Sequence, residues 1–599
     1  MRAHDHRRVI ATVCLSGTLE DKLTAAAAAG FDGVELFEND LIASAMFPEQ
    51  VRERCAELGL GIDLYQPFRD FEAVPPDVLA DNLRRAERKF DVMERLGATT
   101  VLVCSTVSPD AVDDDELAAE QLRALAERAA ARGMRVAYEA LAWGRFVNAY
   151  EHSWRIVRRA DHPALGLCLD SFHVLSRGGD PALIRTIPAD KLFFLQLADA
   201  PELDMDVLQW SRHHRLFPGQ GSFDLPAFTA AVLDTGYTGP LSLEVFNDVF
   251  RQADPGPAAI DARRSLHLLE EQLGGTGIAP APELTGYAFA ELATAGAPEF
   301  AEALAALGFA RTGRHRSKPV ELWQQGEARV LLNAAPAAEA AIAALGVDTA
   351  DPARSAERAG SMLAPILPRE RGADEAGLSS VAAPDGTAVF FCRTEDGGGW
   401  TQDFQAAAEE GEGIGISGID HVALTQPFDH FDEAALFYRS VLGLRPGALV
   451  EYAAPFGMVR SRSVQDRSGA VRLTLDGALV RRGRWAPAVP HPQHVAFAVD
   501  DAVAAARALR RRGAPVLPIP DNYYDDLDAR FGLAPELLAE LRENSVLYDR
   551  DDAGALLHVF TRLLGGRVYF ELVQRVDGYR GFGVANAPVR MAAHRRHRG

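Results

Sequence analysis

Arg135-Val136-Ala137-Tyr138-Glu139-Ala140-Leu141 reads as a short β-strand that ends in a carboxylate. Three further segments repeat the arrangement: Leu167-Cys168-Leu169-Asp170, Phe193-Phe194-Leu195-Gln196 and Leu241-Ser242-Leu243-Glu244. Each is a brief apolar run closing on one oxygen-bearing side chain, and each follows a stretch of helical character. A parallel barrel gathers such strand ends around one mouth, where its loops build active sites. Oxygen donors from Glu139, Asp170, Gln196 and Glu244 converging there suit a hard divalent cation such as Mg2+ or Mn2+ better than zinc, which favours nitrogen and sulfur. The expectation is a metal-assisted lyase or isomerase barrel.

Upstream, Val9–Cys14 reads as the first strand, followed by a helix from Leu19 to Ala29 that Gly30 ends. Gly33–Phe37 and Ile62–Gln66 are the second and third strands. A long amphipathic helix through Arg84–Leu96 stops at Gly97, before a strand at Thr100–Cys104. Together these make eight strand–helix units, which implies parallel pairing and closure. No glycine-rich phosphate fingerprint follows the first strand, which counts against an open doubly wound sheet. Glu35 and Glu38 also lie near a strand end, so carboxylate placement alone does not select the ligands.

With 599 residues the chain needs two or more cores. No apolar run is long enough for a bilayer, and the basic N-terminal Met1–Arg8 lacks the apolar core of a secretory signal. The cysteines Cys14, Cys55, Cys104, Cys168 and Cys392 are scattered without a CxxC, as expected of buried thiols in a reducing cytoplasm. A net charge of −22 argues against nucleic-acid binding, because a phosphate backbone would be repelled. The basic tail His594–Arg598 reads as a frayed, solvated terminus.

The motifs "LCLDSFH", "QLADA", "SRHHRLFPGQG" and "SLEVFND" resemble the sugar-phosphate isomerase/epimerase TIM-barrel superfamily, and more closely the bacterial 3-dehydroshikimate dehydratases. The resemblance covers roughly residues 9–270. It implies that Glu139, Asp170, Gln196 and Glu244 bind the metal (Mg2+, Mn2+ or Co2+) and that His173 is the acid/base. It further implies that Arg69, in "QPFRDFE", contacts substrate, and that Ser211, His213 and Arg215 belong to the loop holding the substrate's polar groups.

Gly274–Pro282 is a linker by composition, which divides the chain into residues 1–276, a joint at 277–284 and residues 285–599. Beyond the joint a βαβββ order recurs. It starts at Gly286–Leu292, with a hairpin around Gly326, again at Ile419–Leu424, and again at His494–Asp500. His421 and His494 each open a strand of a repeat, and Glu571 lies in Val568–Gln574. Two histidines and one carboxylate form the triad used by non-haem Fe(II) sites, so Fe2+ or another divalent metal is expected there. His491 is an alternative to His494. The strand around Tyr287–Phe289 offers no ligand and should belong to a structural half.

"DHVAL", "QHVAFAVDD", "YFELVQR" and "GFGVAN" resemble 4-hydroxyphenylpyruvate dioxygenase, of the vicinal-oxygen-chelate superfamily. That family's C-terminal gate reads GFGxGN followed by an aromatic, whereas Ala585 and Ala587 stand at those places here. The departure counts against 2-oxoacid dioxygenase activity and leaves the triad intact. The expected architecture is therefore an α/β TIM barrel followed by an α+β vicinal-oxygen-chelate domain.

The resemblance implies dehydration of 3-dehydroshikimate to protocatechuate at the barrel. The alternatives are a sugar or hydroxypyruvate isomerase, a bifunctional enzyme with an active oxygenase half, or a C-terminal half serving only binding or assembly. The expected partner is a small molecule, with neither nucleic acid nor membrane, and a homo-oligomer is allowed.

Overall fold

The computed structural model describes residues 6–275, 277–334, 339–368, 371–395, 398–407, 411–455, 457–478 and 492–597. The chain divides into two compact units, Met1–Ile278 and Ala279–Gly599.

The first unit is a closed parallel barrel of β1 (Arg8–Ala11), β2 (Gly33–Phe37), β3 (Gly61–Phe68), β4 (Thr100–Cys104), β5 (Arg135–Glu139), β6 (Leu165–Asp170), β7 (Leu192–Leu197) and β8 (Leu241–Leu243). Each strand pairs with the next, and β8 pairs back to β1. The first strand is shorter than its apolar run suggests. After Ala11 the chain turns into a 3-10 helix, Thr12–Cys14, whose side chains serve the neighbouring strand ends. Phe37 N–H donates to Thr12 Oγ1 (3.1 Å), and Val245 N–H donates to Cys14 Sγ (3.1 Å). The segment before β7 is likewise not an α-helix but two 3-10 turns, Pro181–Thr186 and Ala189–Lys191.

Outside the barrel the longest helix buries one stripe. In Pro76–Leu96 the buried residues Ala86, Phe90 and Met93 fall at helical spacing, and Gly97 closes the helix in the left-handed region (φ +73°). Inside the barrel, Val9, Leu64, Leu102, Ala137, Cys168 and Phe194 form the central plug beneath the carboxylates.

The second unit contains, among the described residues, two large mixed sheets, each built from two βαβββ-like halves. In the second sheet the antiparallel strands Ile416–Gln426 and Gln493–Val499 lie at the centre, and Val568–Asp577 runs parallel to the latter. The first sheet has the same centre in Leu284–Ala293 and Ala341–Thr349. Its inner face is apolar, with Phe289, Leu322, Leu331 and Trp400 packed together. The expected hairpin around Gly326 joins Val320–Gln325 to Ala328–Asn333. His421 sits mid-strand rather than opening one. The tail corrects the sequence expectation in its structure and at His594, whereas Arg595, Arg596 and His597 are exposed as expected and Arg598 lies outside the described residues. Ala587–Arg596 is a helix, and His594 is buried with Nε2 against the Thr561 carbonyl (2.9 Å), because the helix covers the aromatic rings of the sheet.

Gly166 in β6 faces the Phe193 ring of β7, where an added Cβ would lie 2.6 Å from a ring carbon. Gly166→Ala should cost the barrel about 1–3 kcal/mol, read from its urea midpoint.

Candidate functional site

Strand register sets the barrel site. Asp170 is opposite Gln196, and Gln196 is opposite Ser242, so the ends of β6, β7 and β8 present their side chains at one level. Glu139 ends β5 beside Cys104, and Glu244 follows β8 directly. Glu139, Asp170, Gln196 and Glu244 are all buried, as are His173 and Arg215.

Arg215 organises the group. Its Nη1 donates to Asp170 Oδ2 (2.7 Å), to Glu244 Oε2 (3.1 Å) and to the Glu244 carbonyl (3.1 Å). Its Nε and Nη2 donate to Ser211 Oγ (3.1 and 2.9 Å). Its backbone is fixed as well: Arg215 N–H donates to the Phe246 carbonyl, and Asn247 Nδ2 donates to the Arg215 carbonyl. The "SLEVFND" segment thus holds the "SRHHR" segment. A third motif residue, Asp199, accepts backbone N–H bonds from Gly219 (2.9 Å), Gly221 (3.0 Å) and Phe223 (3.0 Å), which shapes the loop after Arg215. Gly219 has φ +87°, and a Cβ at Gly221 would meet Asp199 at 2.3 Å, so both glycines are required by this turn.

His173, one helical turn beyond Asp170, accepts at Nδ1 from the Ala142 N–H (3.1 Å). A backbone N–H is always a donor, so Nδ1 is held as an acceptor and Nε2 is the ring nitrogen left to exchange a proton. Nε2 lies 3.6 Å from Asp170 Oδ2, 3.9 Å from Glu139 Oε1 and 3.3 Å from Arg215 Nη2. Burial pushes His173 down to about 3, so the ring is neutral at physiological pH.

The carboxylates shift the other way. Burial, then the charges of Glu244 and Asp170, push Glu139 well up, and burial raises Glu244 against the pull of Arg215. Glu139 Oε1 is buried with no hydrogen-bond partner among the described residues. Crowded acids with an orphaned oxygen are the chemistry a divalent cation satisfies, so the donor set fits a hard metal. Glu139, Asp170 and His173 each offer a ligand atom within 4.8 Å of the others. Gln196 turns its amide nitrogen to Glu35 Oε2 (2.6 Å), while its carbonyl oxygen accepts only a weak bond from Cys168 Sγ (3.3 Å).

Sequence reasoning could not rank Glu35. It lies wholly inside the barrel, bonded by Gln66 Nε2 (2.8 Å), Gln196 and Ser242, and serves as a strut beneath the site. Glu38 pairs with Lys89 and Tyr65 instead. Arg69 lies near the mouth with a buried Nε lacking a partner among the described residues. Ser211 is buried under Arg215, whereas His213 is half-exposed and bonded to Asp248 (3.0 Å). Glu72, which sequence reasoning missed, accepts from Thr106 N–H (2.7 Å) and Tyr138 (2.9 Å), and burial pushes it to about 7.

In the second unit, register brings the triad together. His421 is opposite Ala496, and Ala496 is opposite Glu571, while His494 stands two residues from Ala496 on the same face. His421 Nε2 and His494 Nε2 are 3.1 Å apart, and they lie 3.4 and 2.9 Å from Glu571 Oε2. Outer residues orient the ligands. His421 Nδ1 bonds Asp420 (2.8 Å), which Arg575 clamps with two bonds of 2.8 Å, and Glu571 Oε1 bonds His558 Nδ1 (2.8 Å). The three hydrogen-bonding histidines hold Glu571 well below the usual carboxylate range against the opposing effect of burial, and burial lowers His494 to about 4. Two nitrogens and one carboxylate oxygen converging at these distances fit a divalent metal. His491, the alternative ligand, lies outside the described residues. Among the described residues the first sheet of this unit holds no such cluster.

Fold and sites together define a barrel of the isomerase type joined to a module of paired repeats that carries a candidate metal site. Residues 23–272 match the family described as xylose isomerase-like TIM barrel. Residues 418–573 match the glyoxalase/bleomycin resistance protein/dioxygenase superfamily, and residues 280–350 match the hydroxyphenylpyruvate dioxygenase N-terminal family. A 3-dehydroshikimate dehydratase of Pseudomonas putida is 45% identical over 98% of both chains, and one of Pseudomonas aeruginosa is 46% identical over 98% of both. A solved xylose isomerase-like TIM barrel/4-hydroxyphenylpyruvate dioxygenase fusion protein superposes with a TM-score of 0.91 at 44% identity, covering 99% of this chain and all of that one. The chain belongs to the family of bacterial 3-dehydroshikimate dehydratases. Among the described residues no helix is long and apolar enough to cross a membrane.

Because His173 is depressed to about 3 in the fold, its contribution to stability is present above the ordinary imidazole pKa near 6.5 and is lost as pH falls toward 3. His173→Asn should remove a slope of about 1.4 kcal/mol per pH unit from the barrel's urea stability between pH 5 and 6, measured in the presence of a chelator.

Proposed function

We propose that this protein converts 3-dehydroshikimate to protocatechuate in the barrel, residues 1–276. The observation that carries the reading is the buried ring of Glu139, Asp170, Gln196 and Glu244 at the ends of consecutive strands, with His173 facing it, in a chain nearly half identical to dehydratases over its whole length.

A substrate with a ketone beside a hydroxyl-bearing carbon loses the hydrogen of that carbon as a proton to give an enediolate, which expels the hydroxyl of the next carbon as water once protonated and tautomerises to the aromatic ring. A divalent cation held by Glu139, Asp170, Gln196 and Glu244, with Mg2+, Mn2+ or Co2+ all suited to oxygen donors, would supply Lewis-acid stabilisation of that negative charge. His173 handles the proton at Nε2, the nitrogen facing Asp170 and Glu139, because Nδ1 is tied to the Ala142 backbone. Arg69, with its unpartnered buried Nε, anchors the substrate carboxylate. Arg215 acts through others, holding Asp170 and Glu244 in place with Ser211 at its back. His213 lies at the rim, where it shapes the loop beside Arg215. The His421–His494–Glu571 cluster would hold Fe2+ or another divalent metal. Five buried free thiols support a cytoplasmic setting.

Incubation with 3-dehydroshikimate should raise the near-ultraviolet absorption of an aromatic product, and a chelator should abolish the rise. Glu139→Ala and Glu244→Ala should each lower turnover by about 100-fold or more, whereas His421→Ala in the other unit retains most of it. Equal loss in all three would refute the assignment of the reaction to the barrel.

A further inference from the structure

The pocket over the C-terminal triad holds a cation that the triad does not explain. Arg590, on the helix Ala587–Arg596, is 7% exposed and lines the same pocket as His421, His494 and Glu571. Among the described residues no hydrogen bond or ion pair is made by its guanidinium, which lies over the rings of Tyr569 (5.1 Å) and Phe560 (5.6 Å). Arginine carries five donors that must be answered when it is removed from water, and a carboxylate answers two of them in one plane. The neighbouring carboxylates whose charge it feels are Asp476 and Glu571, and neither lies within ion-pair distance. Glu571 is already held by His558 and the triad.

We propose that Arg590 grips the carboxylate of a small organic acid in this pocket, with the far end of the acid turned toward His421, His494 and Glu571. The remaining walls suit a flat ring: Phe560 and Phe582 are apolar, and Tyr452, Ser461 and Thr474 are polar. A metal on two histidines and one carboxylate keeps open positions for adjacent oxygens. With such a metal in place, Arg590 leaves the pocket net positive against Glu571 and Asp476, so an anion is favoured. A ring bearing a carboxylate at one end and two adjacent oxygens at the other meets every requirement. The acid formed in the proposed barrel reaction has that composition, so this choice of probe rests on that reading. The C-terminal pocket would then bind the product of the barrel reaction.

The test is calorimetric titration of the full-length, metal-reconstituted protein under anaerobic conditions with protocatechuate and, separately, with catechol, which has the adjacent oxygens but no carboxylate. Two classes of protocatechuate site are expected in the unaltered protein. Arg590→Met should weaken one of them by about 10-fold or more, while catechol binds that site equally in both proteins. An isotherm that Arg590→Met leaves unchanged, or a single class of site unaffected by the substitution, overturns the proposal. Should Arg590→Met fail to fold by circular dichroism, the comparison within the unaltered protein decides. A preference of about 10-fold or more for protocatechuate over catechol at the second site is expected, and equal affinity refutes it. Turnover of 3-dehydroshikimate by the unaltered protein, measured alongside, reports on the barrel reading independently.

Discussion

One guanidinium holds the barrel site in register. Arg215, from the loop after β7, bridges Asp170 at the end of β6 and Glu244 just past β8, with its own side chain 1% exposed. Without a cation those acids would repel one another in a medium that solvates charge poorly, and breaking such a buried pair from one side typically costs about 3–5 kcal/mol. The motifs around it serve that placement. Ser211 backs the fork, Asn247 and Phe246 hold the backbone, and Asp199 gathers the following loop. Glu139 stands on the far side with an oxygen unanswered, so positive charge is still owed to the ring.

The second unit solves the same problem of collecting ligands with a different device. Side chains on neighbouring strands share a face when their residues are opposite, so His421, Ala496 and Glu571 in one row, with His494 two steps along, converge without any special loop. The Asp420–Arg575 clamp and His558 fix the ligand orientations from behind. The first sheet keeps the same strand plan and fills the equivalent face with Phe289 and Trp400, which makes it packing surface.

Much of this is legible in the chain itself because period and punctuation coincide. Apolar runs ending on Glu139, Asp170, Gln196 and Glu244 recur with helical stretches and glycine stops between them, and eight such units close as a barrel. The turn of Thr12–Cys14 is not legible, since a six-residue apolar run looks like a longer strand whatever its last residues bond to. Nor is the role of Glu35, which differs from Glu139 only in depth within the barrel. Arg215 reads in sequence as a substrate contact because its partners lie at positions 170 and 244, which only folding brings near. The tail is misread for a similar reason. Its charges suggest solvent, yet His594 is covered by the sheet and only the helix's outer face is wet. Asp420 and Arg590 escape notice because burial, not composition, gives them their meaning.

The central claim, that one cation is gripped by oxygens at the ends of β5 to β8, is tested most directly by anomalous scattering from crystals grown with Mn2+. The account predicts a peak ringed by oxygens of Glu139, Asp170, Gln196 and Glu244 at roughly 2.0–2.6 Å, the range of hard-cation bonds, with Arg215 still beside Asp170 and Glu244. Manganese found at the His421–His494–Glu571 cluster alone, with no peak at the mouth of the barrel, would contradict it.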